Sequence, residues 1–290
     1  MTVASGLRTE PFGSVGNEAR RDADEADTVR GVAQDVRRTK IRFQGISKSF
    51  STASGRTLVL DNIELEIPDG EFVSVLGESG CGKTTLLRIA AGLIAPSRGK
   101  VLIEGEPITM PTREMGFVFQ QSVLLEWRTV MENILLPIEI FQLKPLDFRQ
   151  KARDLLTMMG LAHAESYYPI QLSGGMQQRV AIARALILAP SMLFMDEPFG
   201  ALDAITREQM NIELQRIWSI SGSTALFITH DIAEAAFLSD RVVVLASRPG
   251  RIKKIFKVNL PRPRLPEHRF DERFVALCKE MKQCMTGEGA

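Results

Sequence analysis

The stretch Phe72–Thr84 reads Phe-Val-Ser-Val-Leu-Gly-Glu-Ser-Gly-Cys-Gly-Lys-Thr and decides the fold. Its first five residues are apolar and β-rich, which predicts a short buried strand ending at Leu76. The rest, Gly77–Thr84, matches the pattern G-x-x-x-x-G-K-T, and a predicted helix over Thr85–Ala91 follows it, ended by Gly92. Glycines let consecutive backbone N–H groups surround an anion, and a helix N-terminus adds positive charge. The pattern therefore predicts a phosphate site.

We call Gly77–Thr84 the phosphate loop. In such a loop Lys83 places its ammonium group among the β- and γ-phosphates of a nucleotide, and Thr84 offers a hydroxyl to Mg²⁺. An accidental glycine-rich turn is the alternative, but the flanking strand and helix disfavour it.

Two carboxylates end a second buried strand. Asp196 and Glu197 follow the apolar run Met192–Met195. A buried parallel strand delivers its last residues to the carboxyl edge of the sheet, where α/β proteins bind ligands. We expect Asp196 to hold Mg²⁺, directly or through a water molecule.

A second glycine motif, Leu172–Arg179, reads Leu-Ser-Gly-Gly-Met-Gln-Gln-Arg and precedes a long helical pattern. It would again present backbone N–H groups to an anion. One chain needs only one phosphate cradle for one ATP, so the second cradle makes sense if it serves the ATP of another copy. The alternative is an ordinary helix cap.

Outward from these motifs, strands and helices alternate. Met115–Phe119, Ala225–Ile228 and Val242–Leu245 are further strand candidates, and Asp147–Met159 has helical spacing. Strands alternating with helices predict an α/β fold with a mainly parallel sheet covered on both faces.

Composition narrows the class of protein. The chain has 290 residues, 44% of them hydrophobic, and a net charge of +1, which argues for neither a nucleic-acid partner nor an acidic substrate. No nucleic-acid partner is expected. No apolar run reaches the roughly 20 residues of a membrane span, and we find no secretory signal. Cys81, Cys278 and Cys284 form no ligand-spaced set, so a reducing cytosol is expected.

Taken with four single residues, these motifs resemble the nucleotide-binding subunit of an ATP-binding cassette (ABC) transporter over roughly residues 41–260. The four residues are Phe50, Gln120, Asp203 and His230. The resemblance implies a P-loop NTPase core with a mainly parallel sheet, an antiparallel β element and an inserted helical subdomain at about 122–188. We place a disordered tail at 1–38, the ATPase domain at 39–264 and a C-terminal helix or tail at 265–290.

The resemblance also implies roles for single residues. Glu197 would be the general base, His230 would contact the γ-phosphate, Phe50 would stack on adenine, and Asp203 would meet its twin across a dimer. Core packing is the alternative for Phe50. The residues expected to be catalytic are Glu197, His230, Gln120 and Lys83, and those expected to hold Mg²⁺ are Thr84, Gln120 and Asp196. The residues expected at the ATP are Phe50, Gly77, Glu78, Ser79, Gly80, Cys81, Gly82, Lys83, Thr84, Thr85, Ser173, Gly174, Gly175 and Asp203.

The function implied is an ATPase at the cytoplasmic face of the inner membrane, bound peripherally to permease subunits. It would power import of a small anionic solute of the nitrate, sulfonate or taurine type, with a solute-binding protein as an indirect partner. Arg248–Ile252, reading Arg-Pro-Gly-Arg-Ile, belongs to the pattern of that branch. An ABC-type ATPase of nucleic-acid repair or translation, or an importer of another small solute, remains the alternative.

Three smaller expectations concern single segments. Arg248–Arg264 holds seven basic residues and no acidic one, which predicts a solvated hairpin and linker, or a membrane-facing surface as the alternative. A terminal helix is expected to run through Phe270, Phe274, Leu277 and Met281. Cys81 is expected to be a tolerated filler of the loop, and a thiol pKa lowered by the surrounding amide dipoles is the alternative.

Overall fold

The computed structural model describes residues 38–52, 55–200 and 202–287, so nearly all of the predicted tail lies outside the described residues. The strands are β1 (Thr39–Thr52), β2 (Gly55–Pro68), β3 (Phe72–Leu76), β4 (Arg98–Ile103), β5 (Glu106–Pro107), β6 (Met115–Val118), β7 (Met192–Asp196), β8 (Thr224–Thr229), β9 (Arg241–Ala246) and β10 (Arg251–Lys257). The α-helices are α1 (Lys83–Ala90), α2 (Val130–Ile140), α3 (Pro145–Met158), α4 (Gly174–Leu186), α5 (Ala204–Ser221), α6 (Ile232–Leu238) and α7 (Glu272–Thr286).

Within these residues the central sheet has the strand order β10-β9-β3-β8-β7-β6. Its neighbours pair in parallel except β10, which runs antiparallel to β9. Every residue of β3, β7 and β8 is buried, as a parallel sheet covered on both faces requires. The predicted α/β fold is confirmed, and the parallel register brings the carboxyl ends of β3, β7 and β8 to one edge.

A second sheet, in the order β2-β1-β4-β5, is antiparallel throughout. Its buried side chains include Phe43 and Ile63, and they share one hydrophobic core with Leu86 and Ile89 of α1. This is the predicted antiparallel β element. It packs directly beside the helix that begins in the phosphate loop.

Helices α2, α3 and α4 fill the chain between β6 and β7. Thr129 and Glu132 form a reciprocal capping box that starts α2. Ile134, Leu155 and Ile182 are buried in one core cluster. These helices lie inside the segment 122–188, whose status as a separate inserted subdomain stays a prediction.

The basic segment after β10 is not the solvated linker that its composition predicted. Arg264 is 1% exposed. Its Nη1 donates to the carbonyl oxygens of Phe237 and Ser239, at 2.9 and 2.7 Å, where α6 ends. Arg262 lies over the ring of Trp218, 4.3 Å from its centroid. A guanidinium group suits the carbonyl end of a helix, so these two charges are structural.

The terminal helix starts later than predicted. Asp271 caps α7 by accepting from the backbone N–H of Arg273, so Phe270 falls in the preceding 3₁₀ turn and is 84% exposed. Phe274 and Met281 are buried as expected. Among the described residues, no helix combines the length and apolarity that a bilayer span requires.

Candidate functional site

The phosphate loop connects β3 to α1 and leaves the start of that helix open. Gly82 is the N-cap residue at φ 102°, and no side chain caps the first N–H groups of α1. Uncapped N–H groups at a helix start are donors that an anion can satisfy. Lys83 is buried, and its Nζ donates to the carbonyl oxygens of Gly77 and Glu78 at 2.9 and 3.0 Å. The loop therefore already gathers cationic and N–H groups around one point.

The carboxyl end of β7 lies against the start of α1. Thr84 Oγ1 donates to Asp196 Oδ1 at 2.9 Å. Burial raises the pKa of Asp196, while the hydrogen bond from Thr84 opposes that shift. A nearby cation would favour the ionised carboxylate. Hydroxyl and carboxylate oxygens are the ligands that Mg²⁺ takes, so the pair fits that ion.

Glu197 stands between Lys83 and His230. Its Oε1 lies 3.5 Å from Lys83 Nζ, and its Oε2 lies 3.0 Å from His230 Nδ1. The backbone N–H of Glu197 donates to Ile228 O of β8 at 3.0 Å, which fixes the residue after the strand. The structure thus joins Lys83, Glu197 and His230 into one chain of polar contacts at the sheet edge.

Sequence reasoning missed a buried carboxylate beside this cluster. Glu234 of α6 accepts a 2.6 Å hydrogen bond from Thr229 Oγ1. Burial raises the pKa of Glu234 to about 7, although the Thr229 hydrogen bond pulls it down. Asp231 caps α6, and Glu234 stands three positions after it. An acidic residue at this spacing from a helix cap is a pattern by which the sequence could have indicated Glu234.

Arg207 of α5 was also missed. Its Nη2 donates to Leu202 O at 2.8 Å, and its Nη1 lies 3.5 Å from Asp231 Oδ2. It thereby links the segment of Asp203 to the segment of His230. Nothing in the local sequence around Arg207 indicates that contact.

Gln120 follows β6 by two residues and is exposed. The carbonyl oxygen of its neighbour Phe119 accepts from Gln178 Nε2 of α4 at 3.2 Å, which ties this loop to the second glycine motif. Further along the loop, Leu124 is buried whereas Trp127 is 73% exposed. Core packing therefore accounts for Leu124 and not for Trp127.

Phe50 lies on β1 with 40% of its surface exposed, so the core-packing alternative is wrong for it. Lys48 Nζ stands 5.0 Å from its ring centroid. Phe50 pairs with Thr57 of β2, and β2 continues to Leu60, which packs against the phosphate loop at Gly82. An exposed aromatic face on this strand is suited to stacking with a nucleobase.

The second glycine motif has a different setting. Ser173 caps α4 by accepting from Met176 N at 3.3 Å, and Gly174 is exposed. Apart from its chain neighbours and the backbone of its own helix, no atom lies within 4 Å of the position that a Cβ would take. Asp203 caps α5, and hydrogen bonding from Thr206 lowers its pKa. Across the described ranges, no hydrogen bond or ion pair joins Ser173–Gly175 to the Lys83 and Glu197 cluster. The fold of one chain does not unite its two glycine motifs.

Cys81 is a buried residue of the loop. Burial raises the pKa of its thiol despite the opposing charge of Lys83. The alternative that loop amides lower that pKa is wrong, because removal from water outweighs them.

Known proteins have similar sequences over most of the length of this chain. The sequence profile of the ABC transporter family matches residues 60–200. An uncharacterized ABC transporter ATP-binding protein of Methanocaldococcus jannaschii is 48% identical over 231 residues, which are 80% of this chain and 86% of that protein. The aliphatic sulfonates import ATP-binding protein of Bacillus cereus is 45% identical over 224 residues, covering 77% of this chain and 88% of that protein.

Solved structures show the same likeness. An ATP-binding cassette dimer in a post-hydrolysis state, bound to ADP and inorganic phosphate, is 33% identical and superposes with a TM-score of 0.68. The match covers 76% of this chain and all of that one. A second dimeric bacterial ABC transporter cassette gives a TM-score of 0.69 at 34% identity, with the same coverage.

Proposed function

The chain belongs to the ABC transporter family, as an ATP-binding cassette ATPase that powers transport, and we propose that it hydrolyses ATP in sites shared by two copies of itself. The observation that carries the proposal is the placement of Glu197 between Lys83 and His230, next to Thr84 and Asp196. A carboxylate so placed can accept a proton from water while a cation and an imidazole hold its two oxygens.

Each residue has a distinct part. Lys83 exchanges its loop carbonyl partners for phosphate oxygens, and the uncapped N–H groups of α1 bind the same phosphates. Glu197 takes the proton of the attacking water, and His230 orients Glu197 through the Nδ1 contact. Phe50 offers its exposed face to adenine. These parts act by positioning and charge stabilisation, which dominate phosphoryl transfer.

Mg²⁺ would be held by Thr84 and Asp196, with Gln120 near the same sheet edge as a third candidate. The described residues contain no group of three or more His, Cys, Asp or Glu side chains arranged to hold a metal. Such a sparse protein donor set suits an ion that also takes phosphate oxygens and waters. When bound, Mg²⁺ supplies charge neutralisation at the phosphates.

The second glycine motif supports the dimer. Ser173 and Gly174 are exposed and, within the described part of the chain, form no hydrogen bond or ion pair with the chain's own catalytic cluster. A second copy placed head to tail would receive this motif at its bound ATP, with Asp203 near the interface. The dimeric cassettes described above are consistent with this arrangement. Closure of the dimer then does work because ATP favours the closed state.

We place the dimer at the cytoplasmic face of the inner membrane, docked on permease subunits that import a small anionic solute. Support comes from the family and from the likeness to a sulfonate import protein. A solute-binding protein outside the membrane completes the proposed importer. Nitrate, sulfonates and taurine are the solutes to test.

The catalytic proposal is tested by Glu197→Gln. The amide keeps the shape of the side chain but cannot take a proton, so we expect turnover to fall by about 10²–10⁴-fold. ATP affinity should stay within about threefold of wild type, because the phosphate contacts remain. Steady-state ATPase assays and nucleotide titrations measure the two quantities.

A matched control is Glu139→Gln. Glu139 lies on α2, and its carboxylate forms an ion pair with Arg128. This variant should keep full turnover. Wild-type rates from Glu197→Gln would remove Glu197 from the role of base. The solute is tested separately, by reconstituting the chain with its permease in liposomes and measuring ATPase stimulation by each solute with its binding protein.

A further inference from the structure

The turn between β9 and β10, Ser247–Gly250, lies against the phosphate loop. Gly250 is buried, and a Cβ added to it would lie 2.2 Å from the carbonyl oxygen of Cys81 and 3.0 Å from Leu60 Cδ2. Real Cβ atoms do not approach other atoms closer than 3.0 Å. The φ angle of Gly250 is not in the left-handed region. The position therefore excludes a side chain because of contact alone.

This turn is fastened on two sides. Gly250 N donates to Val59 O at 2.8 Å, and Asp61 N donates to Gly250 O at 3.0 Å. These two hydrogen bonds join the turn to β2. Arg251 forms an ion pair with Asp61. On the other side, Ser247 Oγ donates to Glu78 Oε2 of the phosphate loop at 2.8 Å. The turn thus bridges β2 and the loop.

The loop packs tightly against β2 beside the turn. A Cβ on Gly82 would lie 2.7 Å from Leu60 Cδ2, the same side chain that a Cβ on Gly250 would meet. Atoms packed this closely transmit a displacement instead of absorbing it. A group added at Gly250 would push the carbonyl group of Cys81.

That carbonyl group matters because of the peptide unit it belongs to. The peptide bond between Cys81 and Gly82 is planar, and in a trans peptide the C=O and N–H bonds point in opposite directions. With the carbonyl oxygen of Cys81 held next to Gly250, the N–H of Gly82 points the other way. Gly82 is the N-cap of α1, and its N–H is among those that we propose to bind phosphate.

We propose that Gly250 is a positioning residue for nucleotide binding, and that the β9–β10 turn holds the Cys81–Gly82 peptide in its phosphate-binding orientation. This inference rests on the proposed function, since it requires a nucleotide at the phosphate loop. The proposal gives the Arg-Pro-Gly-Arg-Ile pattern a structural role, whereas no catalytic role explains that pattern. The pattern supplies both the glycine of the contact and the arginine that fastens the turn.

The test is Gly250→Ala. We expect the dissociation constants of both ATP and ADP to rise at least about tenfold, because a misplaced loop weakens the contacts to phosphates that both nucleotides carry. KM for ATP should rise in parallel, while kcat at saturating ATP stays within about threefold, since Glu197 and His230 are untouched. Fluorescent-nucleotide titration and steady-state kinetics give these values.

The matched control is Gly105→Ala, in the turn between β4 and β5. Gly105 has φ +92° and open space around its Cβ position, so the change strains the backbone without touching the phosphate loop. Its nucleotide affinities should equal those of the wild type. Equal affinities of Gly250→Ala, wild type and Gly105→Ala would overturn the inference.

If Gly250→Ala does not fold, Arg251→Ala decides the question. Arg251 is largely exposed, and removing its ion pair with Asp61 loosens the turn without adding atoms. We expect the dissociation constant of ATP to rise about two- to fivefold. An unchanged value would overturn the inference. Failure of the wild-type protein to bind ATP would instead contradict the proposed function.

Discussion

The phosphate loop and the second glycine motif both place glycines at the start of a helix, yet their surroundings differ. In the phosphate loop Cys81 and Lys83 are buried, and added Cβ atoms at Gly77 and Gly82 would meet neighbours at 2.8 and 2.7 Å. In the second motif Gly174 is exposed and has nothing within 4 Å. Contacts inside the chain require glycine at Gly77 and Gly82, and none requires it at Gly174.

This difference indicates where each motif finds its partner. Gly174 is the first residue of α4, and no contact in the described structure requires glycine there. A close approach from outside the chain would require it. The comparison therefore supports the proposal that a second copy and its ATP complete the motif.

The largest effect is expected from Gly82→Ala. Gly82 has φ 102°, which alanine tolerates poorly, and its Cβ would clash with Leu60. We expect ATP affinity to fall about 100-fold, because the loop cannot keep its shape, and the free energy of unfolding to fall by roughly 1–3 kcal/mol. Nucleotide titration and chemical denaturation measure these. Wild-type ATP affinity of Gly82→Ala would contradict the conclusion that contacts inside the chain require this glycine.

Gly174→Ala should separate binding from turnover. Alanine fits the space and favours the helix, so the free energy of unfolding should stay equal or rise by up to about 1 kcal/mol. ATP affinity of the dilute protein should not change. Turnover should fall at least about tenfold, because a methyl group would obstruct the approach of a second copy's phosphate. Full turnover of Gly174→Ala would contradict the conclusion that a second copy and its ATP approach Gly174.

Mixing two impaired variants tests whether the site is shared between two copies. Lys83→Ala disables the phosphate loop and Gly174→Ala disables the second motif. A mixed dimer pairs an intact loop of one copy with an intact motif of the other. Recovery of ATPase activity on mixing would support the shared site, and no recovery would argue that each copy acts alone.

The smallest effect is expected from Met176→Gln. Met176 is half-buried and packs against the main core cluster. We expect turnover within about twofold of wild type, and a loss of less than about 1 kcal/mol in the free energy of unfolding from reduced apolar burial. A tenfold change in turnover would mean that this side chain, and not the Ser-Gly-Gly backbone, contacts the ATP.

Much of the fold was predictable from local patterns. The apolar run Phe72–Leu76 is a strand over those same residues, and Met192–Met195 is a strand extended by Asp196. Continuous apolar runs of this length predict buried parallel strands because both faces of such a strand are covered. The candidate site followed, because the chain leaves these strands at one edge of the sheet.

Other features depended on contacts between distant segments. The burial of Arg264 depends on the carbonyl groups that end α6, and the raised pKa of Cys81 depends on burial in the core that it shares with β2. A count of charges predicted solvent exposure for Arg264, and the amide dipoles around Cys81 suggested the opposite direction for its pKa. Neither local composition nor dipoles report which remote atoms exclude water.

The order and spacing of the motifs by themselves determined the α/β class, the phosphate loop, and the identity of the carboxylates and histidine at the strand ends. Short-range periodicity and glycine placement carry that information, because they depend only on neighbouring residues. The tertiary structure alone decided that Glu197 stands between Lys83 and His230, that Gly174 stays open, and that Gly250 lies against the phosphate loop. Those facts depend on which strands lie side by side, and that is fixed by packing over the whole sheet.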